Sequence, residues 1–319
     1  VGAGGNGRTL AEIYRTITPA PFNLVGFIDD DPEKIGQDVE GFRILAGSDK
    51  LLRLINEMNI TEVIVAITGE MQGETFQTLL DVQESGTDII RMATLYEELM
   101  GRMPIHHLES DWILRSFVDE ARTSSFAEIG QRLLDIIGSL LGLIILLVLL
   151  PFLALAIIID SGLPIFYQQE RLGKGGQEFE IIKFRTMCKD AEKGGQPMMA
   201  GENDPRVTKV GNFMRATRLD ELPQFWNVLR GEMSIVGPRA ERAQWVATFQ
   251  KEIPFYRARL LVKPGITGWA QINYGYASTV EDTSVKLEYD LYYIKHRSFI
   301  MDMVIILRTI STVLSRRGR

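Results

Sequence analysis

Hydrophobic residues fall into three regimes along the chain. From Arg8 to Glu84, short apolar blocks alternate with polar ones. Arg8–Ile17, Leu51–Met58 and Thr75–Glu84 carry helical spacing, and Asn23–Ile28 and Glu62–Ile67 read as strands. This alternation predicts a doubly wound, Rossmann-like parallel-sheet domain over 1–110, followed by a linker at 111–127. The second regime is Ile136–Ile159, 24 residues without a single charge. In the third, Phe179–Met187 alternates as a strand, with Ile181, Lys183 and Arg185 on one face and Ile182, Phe184 and Thr186 on the other. Residues 188–212 read as a loop, Lys263–Gln271 contains a Pro-Gly turn, and Phe299–Leu314 repeats apolar residues at helical spacing before Arg316, Arg317 and Arg319. That last helix suits the membrane interface or the underside of a folded core equally.

An uncharged run of this length points to membrane more than to a buried core helix. A straight helix over Ile136–Ile159 would measure about 36 Å, enough to span. Pro151, however, removes one backbone bond and crowds the preceding turn. The leg Ile136–Leu150 reaches only about 22 Å, short of a hydrocarbon core of roughly 30 Å. Positive residues flank both ends, Arg122 and Arg132 before and Arg171, Lys174, Lys183 and Arg185 after, so both flanks favour the cytoplasmic side. A re-entrant helix over 132–160, broken at Pro151, satisfies both facts and is preferred to a spanning one.

Composition adjusts this picture in three ways. A chain of 319 residues with 45% apolar content suggests about two domains. Its net charge of -6 hides an asymmetry: residues 1–127 hold 10 Lys+Arg against 21 Asp+Glu, whereas 128–319 hold 25 against 20. The second half therefore suits anionic ligands or lipid head groups. Its basic residues are too few, and too little interleaved with aromatics, for nucleic acid. Cys188 is the only cysteine, so no internal disulfide forms and a reducing compartment fits; His106 and His107 offer no zinc spacing. Val1 is not a methionine, and the numbering is expected to start inside a longer protein.

Two motifs carry candidate chemistry. Gly2-Ala-Gly4-Gly-Asn-Gly7 satisfies G-x-G-x-x-G, and Asp29 lies at the distance of a ribose ligand, so Gly2, Gly4, Gly7 and Asp29 are candidate nucleotide contacts. A Rossmann-like scaffold with no bound nucleotide is the preferred reading, since the glycine motif alone is weak and only Val1 remains of the first strand. No tyrosine has a lysine four residues on, which leaves short-chain hydride chemistry unsupported. The second motif is Arg215-Ala-Thr-Arg218-Leu-Asp220-Glu221-Leu-Pro223-Gln224, with Ser234-Ile-Val-Gly-Pro-Arg239 downstream. Two adjacent acids among arginines are suited to bringing a nucleophile against a phosphate, because guanidinium groups hold phosphate oxygens in pairs. The acids also offer a ligand for a hard cation such as magnesium. Pro223 predicts a helix start, which would put the acids at its N-terminus; in the bland alternative Asp220 is an ordinary N-cap and the arginines are surface charge. Lys183 and Arg185, on one strand face, can address one anion or simply be solvated.

Ile182–Met187, Leu219–Gln224, Ser234–Arg239, Lys263–Gly268 and Glu288–Asp290 occur in an order that closely resembles the bacterial sugar transferase family, the monotopic polyprenyl-phosphate sugar-1-phosphate transferases. The resemblance covers about 128–319, and the acidic first domain is similar to that of the long members. It implies a mainly helical, membrane-associated catalytic domain with a re-entrant helix, on the cytoplasmic face of the bacterial inner membrane. It implies that Asp220 attacks the sugar-linked phosphorus of a UDP-sugar, that undecaprenyl phosphate then takes the sugar phosphate, and that Glu221 binds magnesium. It further implies that Arg215 and Arg239 line the phosphate site, that Asp290 is another active-site acid, that Lys183 and Arg185 belong to the same motif, and that Pro151 breaks the membrane helix. Gly275-Tyr276 departs from some short members, which have an arginine there. Membrane lipid is a further implied partner, and long members admit a homodimer. Two rival readings are an NAD(P)-dependent nucleotide-sugar dehydratase or epimerase and a non-catalytic membrane scaffold.

Overall fold

The computed structural model describes residues 1–67, 69, 71–107, 125–189, 191, 204–275 and 279–314. Arg122, Tyr276, Arg316, Arg317 and Arg319, most of the 111–127 linker and much of the 188–212 loop lie outside the described residues. The chain divides into two compact units, Val1–Phe117 and Val118–Arg319.

The first unit is built on short ladders. Strand β1 (Phe27–Ile28) pairs parallel with β3 (Phe42–Ala46), which pairs antiparallel with β2 (Asp38–Val39). Strands β4 (Glu62–Val65) and β5 (Asp88–Arg91) form a second, parallel pair. Val1 and Gly2 join the two ladders. The Val1 amino group donates to the Ile64 carbonyl (2.6 Å), Ala66 N–H donates to Val1 O (2.8 Å), and Gly2 N–H donates to Ile28 O (2.7 Å). Helices α1 (Gly5–Thr16), α2 (Leu51–Met58), α3 (Gly73–Glu84) and α4 (Met92–Met100) cover these strands, burying Ile28, Ile55, Val63 and Val82 in one cluster and Leu10, Ile13, Met92 and Tyr96 in another. The strand expected over Asn23–Ile28 shrinks to two residues, because pairing with β3 reaches only Phe27–Ile44 and Ile28–Ala46 and shifts register between them.

The second unit is mostly helical. Helix α5 (Ser125–Ser161) runs 37 residues with Pro151 inside it. Proline costs the helix its own N–H bond, yet the element continues on both sides. Its stretch Glu128–Ser161 is long and apolar enough to cross a membrane, and only 11% of its most apolar window is buried. Leu147, Phe152 and Ile159 face outward at 72%, 71% and 77% exposure, a surface a soluble helix would hide. The inner face holds Asp135, Ser139, Gly138 and Gly142. A side chain at Gly142 would run into the Phe225 ring, and one at Gly138 into Ile235.

A hairpin follows, β6 (Phe166–Leu172) against β7 (Glu178–Phe184). Then come α6 (Lys209–Ala216), capped by Thr208 Oγ1 accepting from Gly211 N–H (3.0 Å), a 3-10 turn (Leu219–Glu221) and α7 (Gln224–Arg230). Strand β8 (Ser234–Val236) pairs parallel with β9 (Gly265–Thr267). Gly265 is not a turn glycine. It packs its backbone onto that of Gly237, where any Cβ would overlap the Gly237 nitrogen. The remaining elements are α8 (Ala243–Phe249), a 3-10 turn (Tyr256–Leu261), α9 (Trp269–Asn273), α10 (Val280–His296), closed by a Thr279–Asp282 capping box, and α11 (Phe299–Leu314).

Candidate active site

Asp220 and Glu221 sit on the 3-10 turn between α6 and α7, 8% and 5% exposed. Neither side chain caps a helix. The turn is preceded by Arg218 in a left-handed conformation (φ 58°), and α7 begins only at Gln224, after Pro223. Burying two adjacent carboxylates demands compensation, because an unpaired charge in the interior is heavily penalised. Glu221 receives it from three cations. Its Oε1 lies 3.2 Å from Lys183 Nζ and 3.0 Å from Arg239 NH2, and its Oε2 lies 3.4 Å from Arg218 NH1. Lys183 at 18% exposure is the best shielded of these; Arg239 at 44% is screened more by water.

The two acids are thereby driven apart. Burial would raise the Glu221 carboxyl, but Lys183, Arg239 and Arg218 together hold it well below the usual carboxylate range. Burial, and then the Glu221 charge, push Asp220 up to about 6, against the opposing pull of Lys183, Arg215 and Arg239. Asp220 Oδ1 is buried and has no hydrogen-bond partner. Such an oxygen is desolvated and uncommitted, as a nucleophile requires. Lys183 itself is lowered by burial, with Glu221 opposing, and Arg239 is raised chiefly by Glu221.

Local packing fixes this geometry. Asn227 on α7, fully buried, donates to Glu180 O (2.8 Å) and its Oδ1 accepts from Ile182 N–H (3.1 Å), so β7 is pinned where Lys183 meets Glu221. Arg132 on α5 donates to Val228 O (2.8 Å) and Leu229 O (2.7 Å), satisfying carbonyls at the end of α7. Asp135 Oδ1 accepts from Ser234 Oγ (2.9 Å) and Ile235 N–H (2.8 Å). The long apolar helix is thus joined directly to α7, which follows the acid-bearing turn, and to β8.

A small cavity of about 20 Å³ lies beside the acids, walled by Arg171, Lys183, Gln224, Arg239, Ile181, Ala240 and Gly265. Three of its walls are cationic and none is acidic. Gln224 is 2% exposed and its Nε2 has no partner; Arg171 Nε is likewise unpartnered. Arg171 is lowered to about 10, mainly by burial. A surplus of positive charge with idle N–H donors is complementary to an anionic oxygen.

Other expected residues settle elsewhere. Strand β7 ends at Phe184, so the alternation does not carry Arg185 to the face of Lys183. Arg185 instead donates to Ser161 Oγ (2.9 Å) and to Gly162 O, at the end of α5. Arg215 donates from Nε to Thr186 Oγ1 (2.9 Å) and touches neither acid, though its charge is felt at Asp220. Asp290, expected as an active-site acid, is 3% exposed and bonded through Oδ2 to Arg259 NH2 (2.8 Å). Burial pushes it up to about 6, while Arg259 opposes. The sequence motifs give no role to Arg259 or to the Gln224 side chain. The only signal for either was its place in or beside those motifs.

For magnesium, the fit rests on the acid pair. One or two carboxylates are what this cation takes when substrate phosphates and water complete its shell, and Glu221, next to Asp220, is the carboxylate that would serve. Among the described residues no group of three or more His, Cys, Asp or Glu side chains converges.

In the first unit, Asp29 meets the glycine motif but spends its acceptors there. Its Oδ2 accepts from Ala3 N–H (2.8 Å), and its Oδ1 from Asp31 N–H (3.0 Å), with Lys34 Nζ at 3.3 Å. Gly7 packs against the Gly2 carbonyl, whereas Gly4 faces open space.

Both units resemble known proteins. Residues 1–72 match the PglD N-terminal domain. A UDP-N-acetylgalactosamine-undecaprenyl-phosphate N-acetylgalactosaminephosphotransferase of Aeromonas hydrophila is 38% identical over 249 residues, covering 78% of this chain and 57% of the relative. A UDP-glucose:undecaprenyl-phosphate glucose-1-phosphate transferase of Xanthomonas campestris pv. campestris is 31% identical over 306 residues, covering 92% and 62%. A UDP-galactose-lipid carrier transferase of Erwinia amylovora is 30% identical over 337 residues, covering 100% and 68%. The chain therefore spans only 57% and 62% of the length of the first two. Residues 126–316, which hold the acid pair, its cations and the apolar helix, match the model for bacterial sugar transferases, and the chain belongs to that family.

Proposed function

We propose that this chain transfers a sugar 1-phosphate from a UDP-sugar to undecaprenyl phosphate, on the cytoplasmic face of a bacterial inner membrane, as the first step of a surface glycan. The observation that carries the reading is the split acid pair: Asp220 buried with a free oxygen, beside a Glu221 neutralised by three cations. Phosphoryl transfer depends on positioning and charge neutralisation, and both are supported by this arrangement.

In the first displacement, an Asp220 carboxylate oxygen attacks the sugar-bearing phosphorus. The bond from that phosphorus to the bridging oxygen breaks, and UMP leaves with the electron pair. In the second, a phosphate oxygen of undecaprenyl phosphate attacks the same phosphorus and the aspartyl oxygen leaves, restoring the carboxylate. Lys183, Arg239 and Arg171 neutralise phosphate charge, and Gln224 offers an N–H to one oxygen in the adjoining cavity. Glu221 would hold magnesium with Asp220 near it; when bound, the cation supplies charge neutralisation at the diphosphate.

The membrane half of the proposal is that α5 enters the bilayer, bends at Pro151 and returns, keeping both flanks cytoplasmic. Support comes from its exposed apolar face and the basic residues at each end. The first unit is read as Rossmann-like on its parallel pairings and its Gly2–Gly7 packing. The test is release of UMP from a panel of UDP-sugars with undecaprenyl phosphate, alongside intact mass after exposure to donor alone. A mass increase of one sugar phosphate, lost in Asp220→Asn, is expected. Turnover without any adduct would replace the two displacements by a direct transfer, and no UMP from any donor would leave a scaffold.

A further inference from the structure

Arg239 reaches Glu221 from the chain between β8 and α8, with a side chain 44% exposed. Among the described residues, this side chain bonds to Glu221. Its hold comes from behind. Arg259 NH2 donates to the Arg239 carbonyl (3.1 Å) and to Asp290 Oδ2 (2.8 Å). Arg259 NH1 donates to the Tyr256 hydroxyl (2.8 Å) and lies 3.4 Å from Glu241 Oε1, two residues beyond Arg239. This guanidinium is 7% exposed and lies 5.2 Å from the centre of the Tyr256 ring. Its planar fork is therefore committed in four directions at once, two of them to the stretch Arg239–Glu241.

We propose that Arg259 is a positioning residue for the Asp220–Glu221 site. By clamping the Arg239 carbonyl it sets the reach of the Arg239 guanidinium to Glu221, and Asp290 acts on the site through Arg259 without touching substrate. The path is continuous in the structure: Asp290 carboxylate, Arg259 guanidinium, Arg239 main chain, Arg239 side chain, Glu221 carboxylate. Asp290 has a structural reason to be an acid, since a buried guanidinium requires an opposing charge.

The turnover readout rests on the phosphotransferase reading, so the test has two arms. In the first, the full chain in vesicles is assayed for UMP release as wild type, Arg259→Met, Arg259→Lys, Asp290→Asn, Arg239→Ala, Arg239→Ala/Arg259→Met and Arg239→Ala/Asp290→Asn. Arg259→Met is expected to lose roughly ten- to a hundredfold, the usual loss for a charged hydrogen bond. Arg259→Lys should recover part of that loss. Adding Arg259→Met to Arg239→Ala should cost about twofold or less, because coupled residues are not additive. A fall in folded fraction alone would multiply in both backgrounds, and so would a direct contact of Asp290 with substrate in the matching Asp290 cycle.

The second arm needs no activity. Hydrogen–deuterium exchange of the peptide spanning 234–242 should accelerate in Arg259→Met while β6 and β7 stay protected. Unchanged exchange there, or multiplying losses in the double variant, overturns the proposal. If Arg259→Met does not fold, Arg259→Lys and Tyr256→Phe, which removes only the 2.8 Å bond, carry the same two readouts. Absence of UMP from the wild type would refute the activity and leave the exchange arm to decide the clamp.

Discussion

Asp220→Asn is expected to destroy the reaction and at the same time make the protein more stable at neutral pH. The ordinary aspartate value of 3.8 rises to about 6 in the folded chain, with burial the largest cause and Glu221 the next. A rise of that size means that the ionised side chain weighs against folding by about 3 kcal/mol, an order-of-magnitude figure. The sign follows from proton binding. Between the unfolded and folded values the folded state holds more protons, so the Asp220 contribution to stability falls as pH rises from about 4 to about 6 and stays low above that. Asparagine resembles the protonated acid and escapes this loss. The variant should therefore gain at pH 7.5, and the gain should shrink towards zero near pH 4. Thermal unfolding of both proteins in metal-free detergent, across that range, measures it. A variant less stable than wild type at pH 7.5, or a gain independent of pH, would refute the electrostatic reasoning.

Glu221→Gln should shift the acid limb of adduct formation, expected near pH 6 in the wild type, to lower pH. Removing the neighbouring negative charge eases ionisation of Asp220, and an unmoved limb in intact-mass time courses would count against this. Gly142→Leu should destabilise by about 1–3 kcal/mol and reduce turnover, since the new side chain displaces Phe225 one residue from Gln224; Gly130→Ala, facing open space within the same helix, should instead hold or gain up to about 1 kcal/mol in the same melting assay. Arg185→Ala should lower the melting temperature yet leave the donor KM near wild type, whereas Lys183→Met should lose at least an order of magnitude in kcat/KM, the scale of a lost charge-assisted hydrogen bond. Pro151→Leu should straighten α5 and place its flanks on opposite faces; cysteine accessibility on one face only would contradict a hinge at that residue.

The features legible in the sequence were those encoded locally. The charge-free run Ile136–Ile159 needs no partner to reveal itself, and the acid pair with its arginines is contiguous in the chain. The helices Leu51–Met58 and Phe299–Leu314 follow their periodicity to the residue. Strand lengths were not legible, because a strand ends where its partner does: Leu24 and Val25 are apolar but have no ladder. Lys183 meets an acid 38 residues away, while Arg185, two positions on, turns to α5 because β7 has already ended. The Arg259–Asp290 pair spans 31 residues, and no local pattern announces it. The Pro264-Gly265 pair resembled a turn signal, yet what requires glycine is the backbone of Gly237 pressed against it.

Arg132 and Asp135 stand on the last turn of α5 before its charge-free stretch begins, and they bond the end of α7, which follows the acid-bearing turn, and the start of β8. On the proposed membrane reading, this joint fixes the height of the acid turn above the oily boundary. A soluble donor would reach any such height, whereas an acceptor held by its tail would not, so lengthening the joint between Arg132 and Ile136 by a turn would be expected to cost acceptor use before donor binding.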